Sequence, residues 1–109
     1  MSARWRRGLA GAVWTLVATG AFAQDAPALR ARSLAATCAQ CHGTDGHAVD
    51  GSAVPGLTGR PAATLIEQMN AFKSGARSGT VMPQLAKGFS EAQIAQLAAW
   101  FAQAPAAQK

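Results

Sequence analysis

Residues 38–42 read Cys-Ala-Gln-Cys-His, and the rest of the chain takes its meaning from them. Side chains three apart on one helical turn share a face, so Cys38 and Cys41 can each form a thioether along the same edge of a flat macrocycle bearing two vinyl groups. His42 follows at the end of that turn, where its imidazole can swing beneath the ring and ligate a central iron. C-x-x-C-H is the attachment signature of a c-type haem. A thioredoxin-like redox pair would need a βαβ pattern around the cysteines, and no convincing strand pattern flanks them. A structural zinc site needs four ligands, and beyond Cys38, Cys41 and His42 there is only His47, too close in sequence for a usual zinc spacing. A plain disulfide is the simplest alternative; His42 in the signature position favours haem.

Upstream, Arg4, Arg6 and Arg7 form a positive stretch, Leu9 to Thr19 is a short apolar run, and Ala21-Phe22-Ala23 is an A-x-A cleavage site. The expectation is a signal peptide over residues 1–23, cleaved after Ala23, and a single domain over residues 24–109. The apolar run is too short for a membrane anchor, which takes about 20 residues, and Gly8, Gly11, Thr15, Thr19 and Gly20 dilute it. The adjacent Arg6 and Arg7 read as ordinary signal-peptide charge rather than as a twin-arginine address. Export points to the periplasm, an oxidising compartment.

The full chain of 109 residues carries ten basic and five acidic side chains, a formal +5. Three of those basic residues lie in the expected signal, so the 86-residue remainder is only +2, and two haem propionates would bring it near neutral. With no basic run, nucleic acid is excluded as an expected partner. A chain this short has a limited core of its own, which a covalent haem would enlarge.

Helical periodicity marks three stretches. Residues 24–28 read as a loose leader, and a first helix from Leu29 to Thr37, with Leu29 and Leu34 as its larger apolar residues, runs into the Cys-x-x-Cys-His turn. Gly43 to Gly59 is rich in Gly, Asp, Thr, Ser and Pro and reads as a wrapping loop. Pro61 suits the first turn of a second helix, Leu65, Met69 and Phe72 make an apolar stripe, and Gly75 is its stop. The third helix has an S-x-x-Q capping box in Ser90 and Gln93, Glu91 in the first turn, a repeat of Ile94, Leu97, Ala98 and Phe101, and Pro105 beyond its end. Between the second and third helices, Ser74 to Gly88 reads as a polar loop interrupted by Val81-Met82-Pro83.

An iron held by His42 has a sixth position to fill, and Met69, Met82 and His47 are the candidates. Met69 sits on a helical stripe, where methionine commonly fills gaps in a core. His47, five residues past His42, is tied to the same side of the ring and reads as a solvated loop residue. Met82 lies beside a proline forty residues after His42, far enough for the chain to circle the ring and present sulfur to the opposite face.

The order of CAQCHGTDG at 38–46, VPGLTGR at 54–60, the helix IEQMNAFKSGARS, the segment TVMPQLAKGFS and the terminal helix EAQIAQLAAWFA resembles the class I c-type cytochromes over essentially the whole chain after residue 23. The resemblance implies an all-α, small cytochrome c fold, with three main helices and loops wrapped around one covalent haem. It implies haem c attached through Cys38 and Cys41, iron ligated by His42 and Met82, and the backbone carbonyl of Pro55 accepting the His42 Nδ1 proton, a bond that would orient the ring and raise its basicity. Residues 78–94 further resemble the haem subunit of flavocytochrome c sulfide dehydrogenase. Some such subunits carry two C-x-x-C-H motifs; this chain has one, and room for a single covalent haem.

The implied function is a one-electron Fe(III)/Fe(II) carrier rather than an enzyme, because His/Met ligation leaves no open position for a substrate. Its partners would be redox proteins meeting the exposed haem edge, with Arg30, Arg32, Arg60, Lys73, Arg77 and Lys87 as candidate rim charges. The alternative within this class is a haem subunit that accepts electrons from a flavoprotein. A haem enzyme or gas sensor would require a displaceable sixth ligand, against which the Met82 segment argues.

Overall fold

The computed structural model describes residues 26–104. The expected signal at 1–23 and Pro105 lie outside the described residues. In chain order come α1 (Ala26–Ala36), α2 (Ala39–His42), a 3-10 turn (Thr44–Gly46), α3 (Ala62–Ser74), α4 (Met82–Lys87) and α5 (Glu91–Gln103), with no strand among the described residues. The fold is all-α, with α1, α3 and α5 as its three long helices.

The last helix organises the packing. Ser90 caps it: its hydroxyl accepts from the Gln93 N–H at 3.2 Å while the Gln93 side chain accepts from the Ser90 N–H at 2.9 Å. Two N–H groups that the first helical turn leaves without partners are thereby satisfied. Ile94, Leu97, Ala98 and Phe101, spaced to share one face, are all buried. Helices α1 and α3 pack on α5, and α4 packs on α3. The buried cluster consists of Ala35, Leu65, Leu97, Ala98 and Phe101, edged by Leu34, Ile66 and Trp100, with the Trp100 and Phe101 rings edge to face at 5.0 Å. Two of those five residues are alanines, so the helices alone supply little core volume.

Two local expectations need correcting. Helix α1 starts at Ala26 and not Leu29, so residues 26–28 are no leader: Pro27 sits in the first turn, where the missing N–H costs no hydrogen bond. The helix meets the core through Leu34 and Ala35, whereas Leu29 is 63% exposed. The stretch Ser74 to Gly88 is also not loop throughout, since Met82 begins the six-residue helix α4. Pro83 in the first turn again acts as a helix starter, with the Gln84 and Leu85 N–H groups both donating to the Val81 carbonyl, at 3.0 and 3.1 Å. Helix α3 follows Pro61 and stops at Gly75, whose φ of 82° is the left-handed cap that glycine adopts without strain.

The loop after α2 is drawn against α5. The Leu57 N–H donates to the Gly46 carbonyl at 2.8 Å, and the Gly59 N–H to the Phe101 carbonyl at 3.0 Å. Gly43 holds φ 84° and ψ 161°, a region open essentially to glycine alone, and a Cβ there would collide with the His47 carbonyl. At Gly46, φ is 79° and a Cβ would lie 2.8 Å from the Phe101 ring. The glycines on either side of Thr44-Asp45 thus let the chain leave the Cys-x-x-Cys-His turn and fold back under α5.

Candidate functional site

The missing core volume is a cavity of about 480 Å³ with overwhelmingly apolar walls. Leu65, Ile94, Leu97, Ala98 and Phe101 face it from the core side. The α2 turn supplies Cys38, Cys41 and His42; the following loop supplies Val54, Pro55 and Leu57; α3 supplies Met69 and Phe72. Arg77 to Met82 and Leu85 line it as well.

His42 is buried, and its Nδ1 lies 2.7 Å from the Pro55 carbonyl oxygen. A carbonyl only accepts, so Nδ1 carries the proton and donates, and Nε2 is left as the lone-pair nitrogen of a residue in the cavity wall. The ring is therefore set as a metal ligand in both tautomer and orientation. Backbone bonds from the His42 N–H to the Cys38 carbonyl and from the Gly43 N–H to the Ala39 carbonyl, both 3.0 Å, build the turn that places the two cysteines and the histidine together.

Both thiols are free, Cys38 half-buried and Cys41 exposed. Burial pushes the Cys38 thiol above its ordinary range; the Thr37 hydroxyl pulls it down and Cys41 adds a smaller upward push. No disulfide joins the pair, and among the described residues no three His, Cys, Asp or Glu side chains are grouped to hold a metal ion.

Of the three candidates for the far side, Met82 and Met69 both line the cavity. His47 does not. It borders a separate hollow of about 280 Å³ with Asp45 and Trp100, and its Nδ1 lies 3.2 Å from the Thr44 carbonyl.

The candidate rim charges divide. Arg60 and Arg77 line the cavity itself, and the Arg77 guanidinium stands 4.7 Å from the centre of the Phe72 ring, a cation–π contact. Lys73 is not a free surface charge, because its ammonium donates to the Phe89 carbonyl at 2.6 Å. Arg30, Arg32 and Lys87 are exposed. That two of the cations face the cavity, and that Lys73 is bonded, depends on how α3 turns relative to the segment after it, which periodicity does not encode.

These residues fit a haem. The walls suit an apolar macrocycle, the thiols lie three residues apart on one turn, the imidazole offers a lone pair, and two methionines line the same cavity. Arg60 and Arg77, cationic residues bordering a mostly apolar cavity, suit a group that brings carboxylates.

Comparison with known proteins gives a consistent picture. Residues 25–101 match the family described as cytochrome c oxidase, cbb3-type, subunit III. The chain is 33% identical over 103 residues to the cytochrome subunit of sulfide dehydrogenase of Chlorobaculum tepidum, covering 85% of this chain and 92% of that protein. It is 39% identical over 67 residues to a thiosulfate dehydrogenase electron acceptor of Thiomonas intermedia, 62% of this chain and 31% of that one. Among solved structures, cytochrome c4 of Acidithiobacillus ferrooxidans superposes with a TM-score of 0.60 at 30% identity, covering 77% of this chain and half of the other.

Proposed function

Because the chain belongs to the cytochrome c family and is a haem c electron carrier, we propose that it carries one electron at a time in the periplasm with His42 and Met82 as the iron ligands. Bound haem supplies the Fe(III)/Fe(II) couple. The chain's part is to attach, orient and enclose it: Cys38 and Cys41 hold one edge, and the apolar walls exclude water. His42, oriented by Pro55, would hold the iron through Nε2 and Met82 would hold it through its thioether, a ligand that favours the reduced iron. The observation that carries this reading is the 2.7 Å bond from His42 to Pro55 in the wall of the cavity that Met82 also lines. The periplasmic assignment rests on the signal-like sequence of residues 1–23. Among the described residues no helix is long and apolar enough to cross a membrane.

The test is ligation. Oxidised holoprotein should show the weak near-infrared band of methionine bound to Fe(III), and reduced holoprotein should resist carbon monoxide. Met82→Ala should lose the band, bind carbon monoxide and fall in potential. Met69→Leu exchanges one hydrophobe for another at a cost below about 1.5 kcal/mol and should keep the band. If Met69→Leu opens the iron and Met82→Ala does not, the ligand is Met69; if the wild type binds carbon monoxide freely, the closed-iron carrier reading fails.

A second reading makes the chain the haem subunit of a sulfide-oxidising complex, taking electrons from a flavoprotein. Its support is the similarity to the Chlorobaculum subunit, which spans 92% of that protein's length. Purification of the native protein separates the two: a flavin-containing partner that stays bound through gel filtration favours the subunit, and a lone monohaem species favours the free carrier.

A further inference from the structure

Lys73, in the last turn of α3, reaches across sixteen residues to donate to the Phe89 carbonyl at 2.6 Å. Phe89 lies in the joint between α4 and α5 and packs against the buried core. Between these two anchors runs the whole of residues 74–88, with Met82 inside. The first part of this segment, residues 74–81, is exposed along its length. It is held near α3 by the Arg77 N–H bonded to the Ala71 carbonyl at 3.0 Å and by the Arg77 side chain over Phe72.

An exposed stretch of this kind opens locally at a free energy well below that of global unfolding, and Met82 follows it directly at the start of α4, so an opening that extends into α4 carries the methionine away from the cavity. The Lys73 bond ties the two ends of the segment together, so while it is made an opened 74–88 gains less conformational freedom, and losing it makes opening less costly. It is short, its donor is charged, and it is partly shielded from water, which places it among the stronger hydrogen bonds of a protein.

We infer that Lys73 is a positioning residue for Met82: by closing the base of the 74–88 segment onto Phe89, it sets how often the methionine leaves the iron, although it does not itself line the cavity. The inference rests on the reading of Met82 as the ligand. It differs from a general packing role, because the bond joins the two ends of one segment and its loss should be felt inside that segment first.

The experiment compares oxidised wild-type, Lys73→Met and Lys73→Arg holoproteins. Imidazole is titrated into each as a competing iron ligand while the near-infrared methionine band is followed. In parallel, amide hydrogen exchange is measured at Gln84 and Leu85, whose N–H groups bond to Val81 within the segment, and along the buried face of α5. Removing a hydrogen bond with a charged donor should raise the opening frequency by about 10- to 100-fold. Lys73→Met should therefore bind imidazole at least about 10-fold more tightly and exchange Gln84 and Leu85 faster by a matching factor, with α5 unchanged. Lys73→Arg keeps a charged donor and should return both readouts towards wild type. An unchanged imidazole affinity and unchanged exchange in Lys73→Met overturn the inference, as does acceleration shared equally by α5, which would mean only that the whole domain is weaker. Met82→Ala is run alongside. If it keeps the near-infrared band, the ligand assignment fails on its own, and the exchange measurement still decides whether Lys73 anchors the segment.

Discussion

Replacing both attachment residues, Cys38→Ala with Cys41→Ala, should leave a chain unable to hold this structure. The cavity to be filled is about 480 Å³, and its walls include most of the buried cluster. At roughly 24 cal/mol per Å³ of empty volume, leaving it vacant would cost about 12 kcal/mol. The mouth is open and water would enter, so that figure is an upper limit. Half of it, about 6 kcal/mol, still matches the entire stability of many small domains, which is about 5–15 kcal/mol. The remaining core, with alanine at two of its five positions, has little surplus to offset the loss. The assay is circular dichroism, amide dispersion and guanidinium unfolding of the purified haem-free double variant. The expected outcome is partial helix in the far ultraviolet, no fixed aromatic signal in the near ultraviolet, dye binding to exposed apolar surface and no sharp transition. A haem-free variant that unfolds cooperatively, with a denaturant dependence appropriate to the surface of a domain this size, would refute the reasoning.

Three further substitutions probe the scaffold in the holoprotein. Ser90→Ala removes the acceptor for the Gln93 N–H and should cost about 1 kcal/mol, read as a fall in the thermal midpoint of about 4–8 °C with the near-infrared band intact. Gly43→Ala and Gly51→Ala should differ sharply although both glycines have positive φ, because a Cβ at Gly51 meets nothing within 4 Å whereas one at Gly43 strikes the His47 carbonyl. Guanidinium midpoints should show a loss of about 1–2 kcal/mol at Gly51 and a clearly larger one at Gly43; equal losses would mean that the close approach to His47 is not a constraint.

What could be read from sequence and what could not divides along sequence separation. The Ser90–Gln93 capping box, the Ile94-Leu97-Ala98-Phe101 face and the Gly75 stop are encoded within a few residues, and each is found where its pattern put it. The bond from His42 to Pro55 spans thirteen residues and was reachable only through resemblance to a known family. Helix α4 is hard to read from the polar, glycine-containing stretch around it, and its one local sign is Pro83, because a proline in the first turn of a helix is a start signal. Periodicity marks Met69 as a core residue without revealing that its stripe borders a cavity as well as α5. The place of Arg60 and Arg77 at the cavity and the Lys73–Phe89 bond arise from tertiary packing across α3, α4 and the loop before them, and no local pattern announces them.

The edge-to-face pair of Trp100 and Phe101 gives the protein an optical use. Phe101 lines the cavity, so the indole sits one ring away from whatever fills it. Trp100 is the one tryptophan among the described residues, and with residues 1–23 cleaved on export, as proposed, it would be the only one left of the three in the sequence. Porphyrins absorb where indole emits, so excitation at Trp100 drains into the haem while α5 stays docked and returns as light when the helix moves away. In the cleaved protein Trp100, dark while the haem is enclosed, would thus watch the end of α5 that the Gly59 N–H ties to the wrapping loop, and would do so without a label.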